Sequence, residues 1–438
     1  MRHIVFVDST VSGLLALEAA KKLDCRVTFI HQRDASFLNI SLGDDTTLLA
    51  SYLHHVDNYV RVDSLQDEAF SQCLSTLHLQ WPIDALVTTS EAAILPVARE
   101  AQRLGLPCPD YDALCNAVFK NCLRETLKTH GLRSPNFEVL TEQQLIEGDA
   151  PQVALPFVVK PIRGFAKQFS AICHHRSDFD VFLNCLRQTR SMSDPMINRL
   201  VSRDYLIEQY IDGSLYSAEV IVQEGKVSCY ATTIRFRADY NEILEMTSTM
   251  PSGLDETQRN LIKLYVQAVF DALKINFGLY HVELLLNESG PCLVEINARM
   301  MGSVSPQMYR LLTGIDPFEL MIRLHLGEEI KIDDSALKSA GSVVTIASRF
   351  GGFISAHYDP NEFSALLRKY DIQFCTARVF PGQAVQRYSG NIGTIGHVII
   401  EDTCPYAAAA AGNCFLQELS LLYGLELATY TGPELHRQ

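Results

Sequence analysis

Two runs late in the chain, GLYHVELLLN (278–287) and GPCLVEINARM (290–300), set ionisable residues into otherwise apolar stretches. Side chains at i, i+2 and i+4 of a strand share a face. Glu295, Asn297 and Arg299 therefore converge on one small volume, and His281 and Glu283 share a face of the other run. Such heads are costly to bury unless something pairs with them. If the runs are antiparallel strands joined at NESGP, Glu283 and Glu295 lie side by side. Two adjacent carboxylates repel unless a cation bridges them or one is protonated. Carboxylates with an amide oxygen are hard ligands of the kind Mg²⁺ takes alongside substrate phosphates. The alternative is an edge hairpin with solvated charges; the LLL and CLV segments beside the carboxylates favour a metal site.

At 438 residues the chain is too long for one ordinary core, which implies two or three domains. Its net charge of −14 argues against a general nucleic-acid binder and leaves room for a local basic pocket. The opening MRHIVFVDST is too short for a signal peptide or membrane span, and nowhere do about 18 apolar residues run together. The 12 cysteines are scattered singly with no CxxC pair, the usage of a reduced cytoplasmic protein.

The beginning alternates strand and helix. HIVFVD (3–8), CRVTFIHQ (25–32) and DALVTTSE (84–91) read as strands, GLLALEAAKKLD (13–24) and AILPVAREAQRLG (93–105) as helices. That order implies a doubly wound parallel sheet. Its first turn, DSTVSG, lacks a G-x-G-x-x-G, so this layer is expected to lend residues to a substrate pocket rather than to bind a nucleotide. From Tyr111 the texture changes. DALCNAVFKNCLRETLKTHG (112–131) reads as helix, break, helix, and PFVVKPIRGFAKQFSAICHH (156–175) as a hairpin around a turn at Arg163–Gly164. Further strands surround an EGK hairpin tip, and after about Ile330 Gly-containing strands alternate with helices in what reads as a small α+β subdomain. The expected units are 1–110, 111–205, 206–330 and 331–438.

Phosphates would need cations. Lys160 ends the apolar strand PFVVK directly before Pro161, and Lys120 sits in the break of VFKNCLRETL. LIEQYIDG (206–213) is a strand with a polar middle followed by a turn, where exposed backbone can read an adenine ring; the plain alternative is an edge strand. Taken in order, Lys120, VVKP with Lys160, IEQYIDG, HVE with Glu283, and VEINAR with Glu295, Asn297 and Arg299 resemble the ATP-grasp superfamily of carboxylate–amine ligases. The tail is similar to the extra C-terminal subdomain of L-amino-acid ligases of the bacilysin- and dapdiamide-synthetase type.

That resemblance implies a mixed α/β and α+β chain. An ATP-grasp fold follows the N-terminal doubly wound domain, with a small mobile lid and a C-terminal α+β subdomain. It implies that Lys120 and Lys160 hold ATP phosphates and that Glu208, Gln209, Tyr210 and Ile211 form the adenine hinge. Glu283, Glu295 and Asn297 would hold two Mg²⁺ ions, with Mn²⁺ an acceptable replacement, and Arg299 would neutralise the oxyanion of the tetrahedral intermediate. The implied reaction joins a carboxylic acid to an amino acid through an acyl phosphate, as in dipeptide or antibiotic biosynthesis. The implied partners are small molecules, with no nucleic acid or membrane, and a homodimer is allowed. Alternatives are a carboxylase or purine-pathway ligase of the same fold, or a nucleotide-binding regulatory protein with a degenerate site. The chain departs from the family in three places. The lid turn RGFAKQFS has a single Gly, with Lys167 as a possible extra charge. Leu215 replaces a ribose-binding Glu. Glu245, the candidate contact for the amino substrate, is followed three residues on by Ser248 instead of His.

Overall fold

The apolar run at the start forms β1 (His3–Val7), buried along its whole length. It lies in a parallel sheet with β2 (Arg26–Gln32), β3 (Asn58–Val62) and β4 (Ala85–Val87) in the order β3-β2-β1-β4. The computed structural model describes residues 1–33, 36, 38–39, 47–165, 167–190, 195–390 and 393–431. Ala166 of the lid turn, residues 391–392 of the late Gly-containing run and 432–438 of the expected last unit lie outside these.

Strand order reverses between β1 and β4, and the crevice beyond the carboxyl ends of such strands is where a doubly wound sheet presents functional groups. The Asp8 carboxylate accepts from Ser36 Oγ at 2.5 Å and from Ser90 Oγ at 3.0 Å. Gly13 is required for close approach, since a Cβ there would stand 1.9 Å from Thr89 Oγ1.

A second sheet contains β5 (Phe137–Thr141), β6 (Phe157–Pro161), β7 (Ala171–Cys173) and β8 (Asp204–Gln209), all antiparallel in the order β5-β8-β6-β7. Phe157 and Tyr205 pack with Phe179 and Phe182 of helix Arg176–Thr189 to form its own small core. Two expectations change here. The pairing of Phe157 with Cys173 and Val159 with Ala171 leaves residues 162–170 as a long connection, so Arg163–Gly164 is not a tight hairpin tip. β8 is an interior strand and crosses the expected 205/206 boundary, because its hydrogen-bond partners are β5 and β6.

The third sheet is the largest. It contains β9 (Ser214–Gln223), β10 (Lys226–Ala238), β11 (Asn241–Met250), β12 (Phe277–Asn287) and β13 (Gly290–Asn297). β14 (Ala340–Ala347), β15 (Gly352–Phe353), β16 (Phe374–Cys375), β17 (Ala384–Val385), β18 (Thr394–Asp402) and β19 (Tyr430–Thr431) follow. The order is β13-β12-β9-β10-β11-β14-β18-β16, with β19 against β10 and β15-β17 as a separate ribbon. Glu224 and Gly225, both at positive φ, turn β9 into β10 as the EGK tip requires.

The last hundred residues are α+β as expected, but their strands β14, β16 and β18 continue the same sheet past residue 330. An uncovered β11 edge would expose a row of unpaired backbone groups, and β14 covers it. β14 is buried throughout because helices pack on both of its faces. Met308 and Leu312 of helix Ser305–Thr313 meet Gly341 on one side, and Gly412 of helix Pro405–Tyr423 lies against Val344 on the other.

A Cβ at Gly412 would stand 2.5 Å from the Tyr430 hydroxyl and 2.6 Å from Val344 Cγ2. Gly412→Ala should therefore lower the opening free energy of the sheet by about 1–3 kcal/mol through overpacking. Amide hydrogen exchange is the check, with protection falling together in β11 and β14. A loss confined to residues after 340 would mean that the tail is an independent unit.

Candidate active site

The hairpin β12–β13 sets Glu283 directly opposite Glu295 and His281 opposite Asn297. On this face of the sheet β9 adds Ser217 and Glu219, opposite Glu283 and His281, and β10 adds Arg235. The opposite face carries apolar residues such as Val282, Leu284 and Ala218 in the main core. Strand alternation thus separates a charged cavity wall from a hydrophobic layer within one set of strands. The cavity is about 390 Å³, and all eleven site residues expected from the sequence line it.

The two central carboxylates are kept apart by different cations. Glu295 Oε2 accepts from Lys120 Nζ at 3.1 Å, and Asn297 Nδ2 donates to Glu295 Oε1 at 3.4 Å. Glu283 Oε1 lies 3.3 Å from both Arg235 Nη1 and His281 Nε2. Burial pushes the Glu295 pKa up, but Lys120 and Lys160 overcome it and hold the acid at about 2. Burial also opposes ionisation of Glu283, and Arg235 again keeps its pKa depressed. Both carboxylates are therefore ionised at neutral pH. Among the described residues no three His, Cys, Asp or Glu side chains gather around one point. A metal here would rely on Glu283, Glu295, Asn297 and oxygens from a substrate, a donor set that suits Mg²⁺.

Lys120 begins helix Lys120–Thr129, its backbone N–H donating to Ile162 O at 2.9 Å. Burial disfavours its charge, yet Glu295 and Glu91 outweigh that and raise its pKa. Lys160 is lowered instead, because burial together with the nearby Arg124 and Lys120 prevails over Glu208.

Glu208 requires a correction. Its residue is paired with Phe137 on one side and Val158 on the other, so it offers no open backbone edge to an adenine ring. Its carboxylate instead bridges Lys160 Nζ at 2.5 Å and Arg124 Nε at 2.9 Å. Gln209 and Tyr210 donate their N–H groups to Asn136 O at 2.8 Å and Pro156 O at 3.1 Å. Among the described residues none accepts from the Ile211 N–H, where β8 has ended. Leu215, in place of the ribose-binding Glu, is buried in the cavity wall.

At the far end, Glu245 on β11 is ion-paired to both Arg235 and Lys167. Burial raises its pKa, and those two cations more than reverse the effect. Arg299 Nη2 lies 3.4 Å from Glu91 Oε2, so the N-terminal domain reaches the cavity through the turn after β4.

The sequence reading missed Arg235, Arg124, Glu219 and the specific role of Glu91. Arg235 and Arg237 alternate within the apolar strand TTIRFRA, the same signal that marked Glu295 and Arg299. Glu219 sits likewise in YSAEVIV, and its Oε1 holds His281 Nδ1 at 2.6 Å. Arg124 lies in a polar helix and has no such signal, although its Nη2 donates to Val294 O at 2.9 Å from a fully buried position.

Residues 17–108 match the ATP-grasp N-terminal domain, and residues 153–307 match the ATP-grasp domain. An uncharacterized protein, y4rH, of Sinorhizobium fredii is 24% identical over 298 residues, covering 66% of this chain and 59% of that protein. Alanine–anticapsin ligase of Bacillus subtilis is 23% identical over 269 residues, covering 58% of this chain and 56% of the ligase. The chain thus spans less than two thirds of the length of these relatives. Among solved structures, the L-amino acid ligase from Bacillus licheniformis superposes with a TM-score of 0.74 at 20% identity, covering 99% of each chain. The fold is therefore that of the ATP-grasp proteins.

Glu208 gives a stability test. Glu208→Gln leaves Lys160 and Arg124 buried without their counter-ion and should cost about 3–5 kcal/mol in chemical denaturation at pH 7. The folded-state pKa of Glu208 is depressed from an ordinary 4.5 to about 2, so its stabilisation is full above 4.5 and is lost as pH falls toward 2. The gap between wild type and variant should shrink across that window. A gap that does not change with pH would show that the carboxylate charge is not what holds the two cations.

Proposed function

Because this chain carries an ATP-grasp domain behind its N-terminal companion, we propose that it is an ATP-dependent ligase joining a carboxylic acid to the amine of an amino acid. The observation that carries this reading is the facing Glu283–Glu295 pair, ionised and ringed by Lys120, Lys160 and Arg299 on one cavity. No residue needs to act as a nucleophile. The γ-phosphoryl group of ATP passes to the acid's carboxylate oxygen, giving ADP and an acyl phosphate. The amine nitrogen then adds to the acyl carbon, phosphate leaves with its bonding electrons, and the amine gives up its proton.

Lys120 and Lys160 hold the phosphates in line for transfer, and the Ile211 N–H with the Gln209–Tyr210 backbone borders the adenine. Glu283, Glu295 and Asn297 would hold Mg²⁺, which supplies charge neutralisation to the transferring phosphoryl group. Arg299, anchored to Glu91, faces the oxyanion that develops when the amine adds. Glu245 lies at the end of the cavity where an ammonium would approach. The similarity to alanine–anticapsin ligase and to an L-amino acid ligase supports an amino acid as the amine.

A screen of paired carboxylic acids and L-amino acids for ADP and phosphate release tests the reading. Release should require both members of a pair and yield their amide. Release driven by bicarbonate without an amine would instead indicate a carboxylase. With a working pair, Glu295→Gln should abolish most Mg²⁺-dependent turnover, because a shared metal ligand loses its charge. Wild-type turnover by that variant would refute the metal assignment.

Arg299→Met should bind the nucleotide nearly as wild type does yet form amide at least ~100-fold more slowly, the usual loss when an oxyanion-stabilising donor is removed. Equilibrium nucleotide binding and single-turnover amide formation separate the two effects. Loss of nucleotide binding would make Arg299 a phosphate or structural group.

A further inference from the structure

Three lysines line the cavity among the described residues, and they are held very differently. Lys120 starts a helix and Lys160 lies within β6, both buried in place. Lys167 instead sits in the 162–170 connection of the lid sheet, a third of its side chain exposed at 34%. Its φ is +58° and that of Phe169 is +53°, left-handed values that non-glycine residues adopt only when surrounding contacts impose them. Two contacts do so here. The Lys167 ammonium reaches across the cavity to Glu245 on β11, and Arg190 stacks over the Phe169 ring at 4.5 Å.

Lys167 is not the only cation on Glu245, because Arg235, which also pairs with Glu283, holds that carboxylate as well. Nor is Lys167 remote from the carboxylate pair, since it lines the same cavity as Glu283 and Glu295. It thus stands between the place where phosphates would arrive and the far end of the cavity. A triphosphate carries more negative charge than one carboxylate that keeps a second cation.

We infer that Lys167 is a third phosphate-binding group, parked on Glu245 until nucleotide arrives and then exchanged onto the phosphates. This rests on the ligase reading above and adds to it a coupling between the two ends of the cavity. When Lys167 leaves, Glu245 retains Arg235 but loses one ammonium, and it can then accept the ammonium of the amine substrate. Nucleotide and amine therefore favour each other's binding, and the effect is reciprocal. Lys167 acts in positioning.

The test is calorimetric titration of the full chain with Mg²⁺ and adenylyl imidodiphosphate, using wild type, Lys167→Met, Glu245→Gln and the double variant. Lys167→Met should weaken binding about 5-fold or more, and Glu245→Gln should tighten it at least ~3-fold by releasing the parked lysine. The double variant should bind like Lys167→Met alone, since Glu245 acts on the nucleotide only through Lys167. Lys167→Arg, which keeps the charge, should bind within about 2-fold of wild type. Tightening by Glu245→Gln that persists without Lys167 would reveal a simple field effect and overturn the exchange, as would an unchanged affinity in either single variant. A wild type that fails to bind the analogue would overturn the ligase reading together with the exchange.

Discussion

Among the described residues, each charged side chain of this cavity meets a counter-charge, and the rest of the structure is arranged around that requirement. Glu208 and Glu283 are buried, Glu245 and Glu295 are partly buried, and each meets at least one lysine or arginine. An isolated ion at such depth costs several kcal/mol even after relaxation, whereas a paired one is tolerable. The pairs join separate parts of the chain. Glu208 of the lid sheet holds Arg124 of a linker helix, Glu295 of the large sheet holds Lys120, and Arg299, two residues past the end of β13, holds Glu91 of the N-terminal domain. The ion pairs that make the cavity electrostatically tolerable are therefore also contacts between its walls.

The same arrangement prepares the site for exchange. Cations stand where phosphates are expected and carboxylates where metal ions are expected, so a nucleotide and its metal would replace existing pairs instead of burying new charge. Lowered pKa values keep Glu283 and Glu295 ionised across the neutral range, so that no proton has to leave before they act as oxygen ligands. Supporting contacts limit their movement. His281 is fixed by Glu219 from behind and touches Glu283 in front, and Arg235 spans Glu283 and Glu245. Preorganised groups of this kind act on developing charge without having to reorient.

The large sheet explains why the chain runs on past residue 330. β14 and β18 extend the edge beyond β11, while Thr345 and His397 add to the cavity wall from the continued strands. Ser303, in the turn after Arg299, meets His397 at 3.2 Å and ties that turn to the extension. The C-terminal part thus completes both the core and the cavity.

The sequence by itself determined the local elements and the central hairpin. A period of two leaves little freedom: once HVELLLN and CLVEIN are strands joined by a short turn, Glu283 and Glu295 must share a face and lie near one another. The parallel character of the first sheet and the EGK turn were legible too, because strand–helix alternation and turn residues are local patterns, whereas β3 and the strand order were not. What only the tertiary structure decided was which distant charges meet. Glu208 looks like part of an adenine hinge until β5 and β6 close on both sides of it and turn its carboxylate toward Lys160 and Arg124. Arg124 reads as an ordinary helical surface charge until the helix is packed against β13. The lid boundary and the continuation of the sheet into the tail were equally hidden, because strand pairing depends on hydrogen-bond partners far away in the chain. Local pattern says which face a side chain takes; only the packed fold says what faces it.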